Sequence, residues 1–486
     1  MGERTRQDNE SWFGSPIQSS TGVIERPRSD GEVAAVLKDD RRFPSPVRPV
    51  GSRHSMTPCI SAEAAGEPGK WGTLVDMTSF TTLSDEAGNP TDLPLRVNWE
   101  ARPITVTVPA GRTFYKVARE LRTEQRGDVK GLQFRVNTEL GTLTMGAAAC
   151  GATKDSSFPG EFGQVCSDVV GMRLITPDGK RHNLKNGDED FAALRCSYGL
   201  FGIVTEVTFR VDEHRDISIR HEKCKVDEFP ERSREWLSDG NAVFLYLFPH
   251  DDRIVAELRK KVRAPTGERP EREEKSARLE GRNFFWRQGL HVIAKAAGKM
   301  GPARDEALDA LDEALEIYFV KQLQIDRVSP VGQIVDFDKE DTEHGFTFSM
   351  WAFPEGQFAR ILPEYFRFCK ERQAIFRAGL PHVSYHIAKD QSSLLSYSHS
   401  HPVWTLDPIC PEVEAHEPGW EQFLREFNGW CSALGGVPLL NQTPHLDRSH
   451  LTSAFGQRLR DFETARRRLD PGNRMLNDYF AKLLAP

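Results

Sequence analysis

No Cys-x-x-Cys pair occurs in this chain, and its eight cysteines (Cys59, Cys150, Cys166, Cys196, Cys224, Cys369, Cys410 and Cys431) stand singly. That scatter excludes a zinc finger or a paired redox motif and predicts free thiols in a reducing compartment. No apolar run reaches the ~20 residues that a helix needs to cross a bilayer. The N-terminus, Met-Gly-Glu-Arg-Thr-Arg-Gln-Asp-Asn-Glu, lacks the apolar core of a secretory signal, and Glu3 and Arg6 depart from a myristoylation start. A cytoplasmic location is the expectation. A basic excess is missing too: 64 Lys and Arg stand against 71 Asp and Glu, and the net charge of −7 gives no reason to expect a nucleic-acid partner. No metal site is expected. At 486 residues the chain is long enough for two domains with full cores, and length alone permits a third.

Strands and helices mix along the whole chain, which predicts an α+β fold. Helices are expected over Asp30–Lys38 and Phe114–Thr123, and Ile104-Thr-Val-Thr-Val108 has the alternation of a half-buried strand. Beyond Glu213 the segments Ala242–Phe248 and Phe346–Phe353 read as long strands. Leu308, Leu311, Leu315 and Phe319 place a core helix over Asp305–Gln322. The dense charge of Arg263–Arg282 predicts a solvated loop. Phe284–Lys299 reads as a cap helix, with a membrane-surface helix as the alternative.

Two segments carry the chemistry. Pro46-Val-Arg-Pro-Val-Gly-Ser-Arg-His-Ser55 sets a glycine turn, small hydroxyl residues and a histidine after a strand-like run. Backbone N–H groups in such a turn can converge on an anion. Gly141-Thr-Leu-Thr-Met-Gly-Ala-Ala-Ala-Cys-Gly-Ala-Thr153 is a run of small residues that lets backbone approach a flat ligand, with Thr142 and Thr144 as hydroxyl donors. Behind it come Asp168–Gly179, a strand into a Pro-Asp-Gly turn, and Asp188–Thr208.

In order and spacing these segments resemble the FAD-linked oxidase superfamily of the vanillyl-alcohol oxidase type, nearest to its aldonolactone and alditol oxidase branch. The likeness covers about residues 20–212 and returns at Pro444–Leu484, where Leu469-Asp-Pro-Gly-Asn-Arg-Met-Leu-Asn-Asp-Tyr-Phe480 resembles the closing segment of that branch. The resemblance implies an α+β fold with a two-part FAD-binding domain of the PCMH type over residues 1–212. A cap domain with a large antiparallel sheet and flanking helices would span 213–439, and residues 440–486 would return to the FAD domain. It implies FAD held at Pro49, Val50, Gly51, Ser52, Arg53, His54 and Ser55, with His54 as covalent anchor. Thr142, Thr144, Gly146, Ala147, Cys150, Gly151 and Ala152 would line the ring and ribityl chain. Ile203 would meet adenine, and His445 and Asn477 would also contact the cofactor.

The chain departs from that branch where substrate chemistry is expected. Gly151-Ala-Thr-Lys154 stands in place of Gly-Thr-His-Gly, and Lys154 could stabilise negative charge on a reduced ring. Pro444-His-Leu-Asp-Arg448 replaces Pro-His-Trp-x-Lys, so Arg448 supplies fixed charge but no general base. Val383 and Tyr385 fall where a Glu-x-Arg pair would orient sugar hydroxyls. Arg448, His445 and Tyr385 are the expected catalytic residues, and His386, Lys389, His399, His401 and Asp407 complete a candidate polar cluster. Trp351 and Phe353 are candidates for an apolar pocket wall. The expected activity is oxidation of a CH–OH group in a sugar derivative, polyol, lactone or related metabolite, with oxygen as acceptor. A dehydrogenase using another acceptor and a flavin-bound protein without turnover are the alternatives.

Overall fold

The computed structural model describes residues 9–11, 15–262, 277–284, 304–335, 346–377, 380–411 and 418–484. Its N-terminal part opens with a small parallel sheet in which Thr73–Asp76 lies between Val23–Glu25 and Val47–Val50. The helix Asp30–Lys38 covers it, started by Ser29, whose side chain accepts from Glu32 N at 3.2 Å. Val33, Val36 and Leu37 of that helix are buried with Val47, Val75 and Phe80.

A second, antiparallel sheet follows in the order Arg181–Lys185, Val169–Ile175, Ile203–Glu213, Thr105–Pro109 and Arg96–Asn98. Leu132–Phe134 pairs with the far end of Ile203–Glu213. The expected alternation is seen in Thr105–Pro109, where Val106 and Val108 are buried and Thr105 and Thr107 are only partly so. The helix Phe114–Thr123 forms where its spacing predicts, burying Phe114, Val117 and Leu121.

The third sheet has eight strands, all antiparallel, running from Ile325–Val328 at one edge to Val437–Pro438 at the other. Its central strand Ala242–Phe248 is buried along its whole length, which matches its unbroken apolar run. The run Phe346–Phe353 is not one strand. It breaks at Ser349-Met350, so that Phe346–Phe348 pairs with Ile409–Pro411 while Trp351–Pro354 joins the large sheet. Arg304–Gln322 is helical, as the leucine spacing predicts.

The C-terminal segment closes on the first sheet. Val47 N donates to Arg474 O at 2.8 Å, and the buried Arg48 donates to Met475 O at 2.7 Å. The main core cluster joins residues of the second sheet to Leu439, Leu451, Phe462 and Phe480.

One charged segment differs from the loop reading. Ala277–Phe284 is helical, and Arg282 is fully buried and bonded to Glu139. Glu139, in turn, accepts from Arg259, which also bonds Asp155 and Glu257. Charge pattern alone reads as solvation because a buried arginine needs carboxylates from distant parts of the chain. Residues 263–276 and 285–299 lie outside the described residues; Phe284 is exposed. No described helix is long and apolar enough to cross a membrane.

Candidate active site

The loop that follows Val47–Val50 is fastened on two sides. Arg53 adopts φ +64° and sends its guanidinium to Asp76 at 2.9 Å, at the end of the neighbouring parallel strand. Ser52 Oγ donates to Thr142 O, and His54 Nε2 lies 2.8 Å from Thr142 Oγ1. Gly51 sits against Thr144 so closely that a Cβ there would overlap the threonine side chain. The Gly51–Ser55 loop and the Gly141–Thr153 segment therefore form one unit, although about ninety residues separate them.

A cleft of about 260 Å³ opens between this unit and the large sheet. One end is lined by Pro49, Val50, Gly51, Ser52, Arg53, His54 and Ser55 together with Thr144, Gly146, Ala147, Cys150 and Gly151. All of these were expected from the sequence. Gly199, at φ +71°, packs onto Pro49, where a Cβ would come within 2.6 Å of Cγ. Glycine is required there for both reasons.

The other end is formed by Glu139 and Lys154 with Phe244, Phe346, Phe348, Val383, Tyr385, Asp407 and Ile409. Lys154 Nζ lies 3.0 Å from Asp407 Oδ2, donates to Gln442 Oε1 at 3.2 Å and stands 4.7 Å from the Tyr385 ring centroid. Burial pushes the Asp407 carboxyl upward, and the Lys154 ammonium opposes that shift. Burial also holds the Tyr385 phenol well above its ordinary value, so it stays protonated. Its hydroxyl has no hydrogen-bond partner among the described residues, whereas its backbone N–H donates to Thr405 Oγ1.

Several expected residues lie elsewhere. Arg448 heads the helix Arg448–Phe455 and faces Glu463 at 3.4 Å, outside the cleft lining. His445 lies near Glu421 and Arg425, also outside the lining, and burial followed by Arg425 lowers its pKa. Neither lines the cleft. Asp447 caps that helix through Ser449 N and His450 N. Thr142 stands behind His54 rather than in the wall. Ala152 and Ile203 are fully buried between the lining residues Gly151 and Thr153, and Gly202 and Val204. Asn477 is buried as well, donating to the carbonyls of Cys59 and Ser61; it holds the Pro58–Ile60 turn, which supplies Cys59 and Ile60 to the lining.

Of the candidate cluster, only Tyr385 and Asp407 reach the cleft. His386 pairs with Glu355 at 2.8 Å, and Lys389 and His401 are exposed. Trp351 and Phe353 pack in the core beyond the sheet, where Trp351 Nε1 donates to Asn428. The aromatic wall comes instead from Phe346 and Phe348, just before the Ser349-Met350 break. Their alternation was visible in the sequence, but the break that turns them away from Trp351 was not.

The arrangement fits a long, two-ended ligand. Backbone N–H groups, hydroxyls and the Arg53 charge gather at one end and apolar side chains at the other. Gly51 lets the loop close onto Thr144 and Gly151 fits against the Ala147 carbonyl, and buried Asn441 Oδ1, on a lining residue, has no hydrogen-bond partner among the described residues.

The comparisons with known proteins agree with this geometry. The family described as D-arabinono-1,4-lactone oxidase matches residues 207–483, more than half of the chain. The L-gulono-1,4-lactone dehydrogenase of Mycobacterium tuberculosis is 23% identical over 490 residues, covering 98% of this chain and 99% of that protein. The mitochondrial L-galactono-1,4-lactone dehydrogenase 2 of Oryza sativa subsp. japonica is 26% identical over 158 residues, 32% of this chain and 26% of its own length. Among solved structures, cholesterol oxidase from B. sterolicum superposes with a TM-score of 0.76 at 14% identity, covering 98% of this chain and 96% of that one. A solvent-stable cholesterol oxidase gives 0.69 at 15% identity. At such identities the structural likeness establishes the fold alone: α+β with a large antiparallel sheet, as in cholesterol oxidase.

Proposed function

We propose, from the premise that this chain belongs to the D-arabinono-1,4-lactone oxidase family, that it binds FAD along the described cleft and oxidises a carbinol carbon at the end lined by the large sheet. Membership makes it an FAD-dependent oxidoreductase acting on CH–OH donors. The observation that carries the placement is the continuity of one cleft from the Gly51–Ser55 loop to the Lys154–Asp407 pair.

In this reading the 1–212 and 440–486 portions hold the cofactor and 213–439 covers the substrate. Gly51, Ser52, Arg53 and Ser55 meet the diphosphate, and Gly146, Ala147, Cys150 and Gly151 allow close approach of the ring system. FAD, when bound, would supply the hydride acceptor for the carbinol carbon, and the hydroxyl proton would pass to the Glu139 carboxylate that lines the same half of the cleft.

The chain's own groups bind and orient. Tyr385, kept protonated by burial, offers its hydroxyl to the substrate oxygen. Lys154 places a fixed positive charge beside that oxygen and beside the ring end of the cleft, held there by Asp407 and Gln442. The apolar wall excludes water from the reacting end. Arg448 and His445, which do not line the cleft, are given no role in this reading.

His54 anchors the flavin covalently, with Thr142 Oγ1 at 2.8 Å from Nε2 fixing the imidazole's orientation. Oxygen is the proposed electron acceptor. The relatives named as lactone dehydrogenases support a small hydroxylated substrate and leave a non-oxygen acceptor as the alternative.

Acid precipitation of the purified protein tests the anchor. Flavin colour that stays with the polypeptide and is lost in His54→Ala supports the link, and full release of FAD from the wild type overturns it. Peroxide formed per turnover in air tests the acceptor, since a yield near zero with rapid dye reduction would favour the dehydrogenase.

A further inference from the structure

The sheet-lined half of the cleft differs in kind from the half at the Gly51–Ser55 loop. Phe244, Phe346, Phe348, Val383, Tyr385 and Ile409 form most of it. These side chains are continuous with an apolar cluster behind them that includes Tyr246, Phe319 and Leu380. Phe244 meets Tyr385 edge to face at 4.7 Å, and the centroids of Phe346 and Phe348 are 6.0 Å apart.

Several polar groups in the same half are engaged with one another. Glu139 accepts from Arg259 at 2.9 Å and from Arg282, and Lys154 donates to both Asp407 and Gln442. The polar contacts that remain for a ligand oxygen gather at the Lys154–Asp407 pair and at Glu139: the Tyr385 hydroxyl, a further Lys154 N–H, the Gln442 amide N–H groups, Asp407 Oδ1, which has no partner among the described residues, and the outer oxygen of Glu139. A ligand bearing hydroxyls all along its length would lose water from each and regain partners for few. A ligand with one hydroxyl needs one cluster of partners.

We infer that the substrate carries its reacting hydroxyl on an apolar body, alicyclic or aromatic, rather than on a polyhydroxylated chain or ring. The inference rests on the proposed function, which makes this half the substrate's end. The hydroxyl meets Lys154 and Tyr385, and the body lies against Phe346, Phe348 and Ile409.

The test uses the FAD-loaded full chain without oxygen, titrated separately with cyclohexanol, benzyl alcohol, xylitol and D-arabinono-1,4-lactone. Dissociation constants are read from the perturbation of the flavin absorption and, independently, from the shift in Tm. The expected result is that at least one apolar alcohol binds about tenfold or more tightly than xylitol and the lactone, because unmatched hydroxyls are rejected by an apolar wall. Phe348→Ser should shrink that ratio severalfold; Ile409→Thr serves where Phe348→Ser fails to fold. Equal or tighter binding of xylitol or the lactone overturns the inference. Preferential binding of an apolar alcohol to a flavin that dithionite reduces but no alcohol does would support the apolar pocket and overturn the proposed oxidation instead.

Discussion

Lys154 Nζ lies 3.0 Å from Asp407 Oδ2, and both side chains are almost entirely buried. The pair ties the segment after the small-residue helix to the large sheet, and so holds together the two halves of the cleft. Removing one partner of a buried pair strands the other, at a cost of about 3–5 kcal/mol.

Lys154→Met should therefore lower unfolding stability by about that amount and slow flavin reduction. The double variant Lys154→Met with Asp407→Leu separates the two effects. It should recover much of the stability, measured by denaturant titration, while flavin reduction stays slow. Recovery of both would reduce Lys154 to a structural role.

At Gly51 any side chain meets Thr144, with Cγ2 within 2.9 Å of the added Cβ. Gly51→Val should cost about 1–3 kcal/mol through overpacking and leave FAD content well below that of the wild type. Content is read from the ratio of flavin to protein absorbance. Gly356→Ala, on a glycine with open space around it, is the control and should leave content unchanged.

Arg448 is more than a third of the way to full exposure, and its pairing with Glu463 at 3.4 Å is of the kind worth about 0–1 kcal/mol. Arg448→Ala is expected to leave the rate of flavin reduction within about twofold of wild type, as surface changes distant from the chemistry do. A sharp slowing would return Arg448 to the site.

His382 gives a pH prediction. It is buried with its Nδ1 2.5 Å from the Tyr365 hydroxyl, and burial, with His250 as a smaller cause, holds its pKa down at about 3. Between about pH 3 and 6.5 the unfolded chain binds a proton that the folded chain refuses, so this residue makes stability fall as pH falls through that window. Its contribution to the slope is about 1.4 kcal/mol per pH unit. His382→Gln should flatten the loss of Tm between pH 6.5 and 4 relative to wild type. Asp168 and Asp312, both raised to about 7 by burial, slope the other way, so the comparison of variant with wild type is the informative measurement.

Local elements were legible because short-range rules govern them. Asp30–Lys38 and Phe114–Thr123 are helices with the expected bounds, and Ala242–Phe248 is the expected strand, found buried along its length. The Gly51–Ser55 turn and the small-residue run were visible as an ordered pair, and the cleft brings them together. What was hidden depends on distant partners. Arg282 reads as a solvated charge until Glu139 is beside it, and Asp407 reads as one polar residue among many until Lys154 faces it. Arg448 and His445 stand in a spacing that resembles a substrate motif, yet neither lines the cleft, and spacing alone carries no information about which face of the fold a segment reaches. Phe346 and Phe348 escaped notice because the larger Trp351 and Phe353 follow them in the same apolar run.

The most direct test of the central claim is anaerobic mixing of the purified, FAD-loaded protein with hydroxylated compounds while the flavin absorption is followed. The account predicts that at least one CH–OH compound bleaches the bound flavin and that admitting oxygen restores the colour. A flavin that dithionite bleaches but no hydroxylated compound does, or a protein that takes up no FAD, would contradict it.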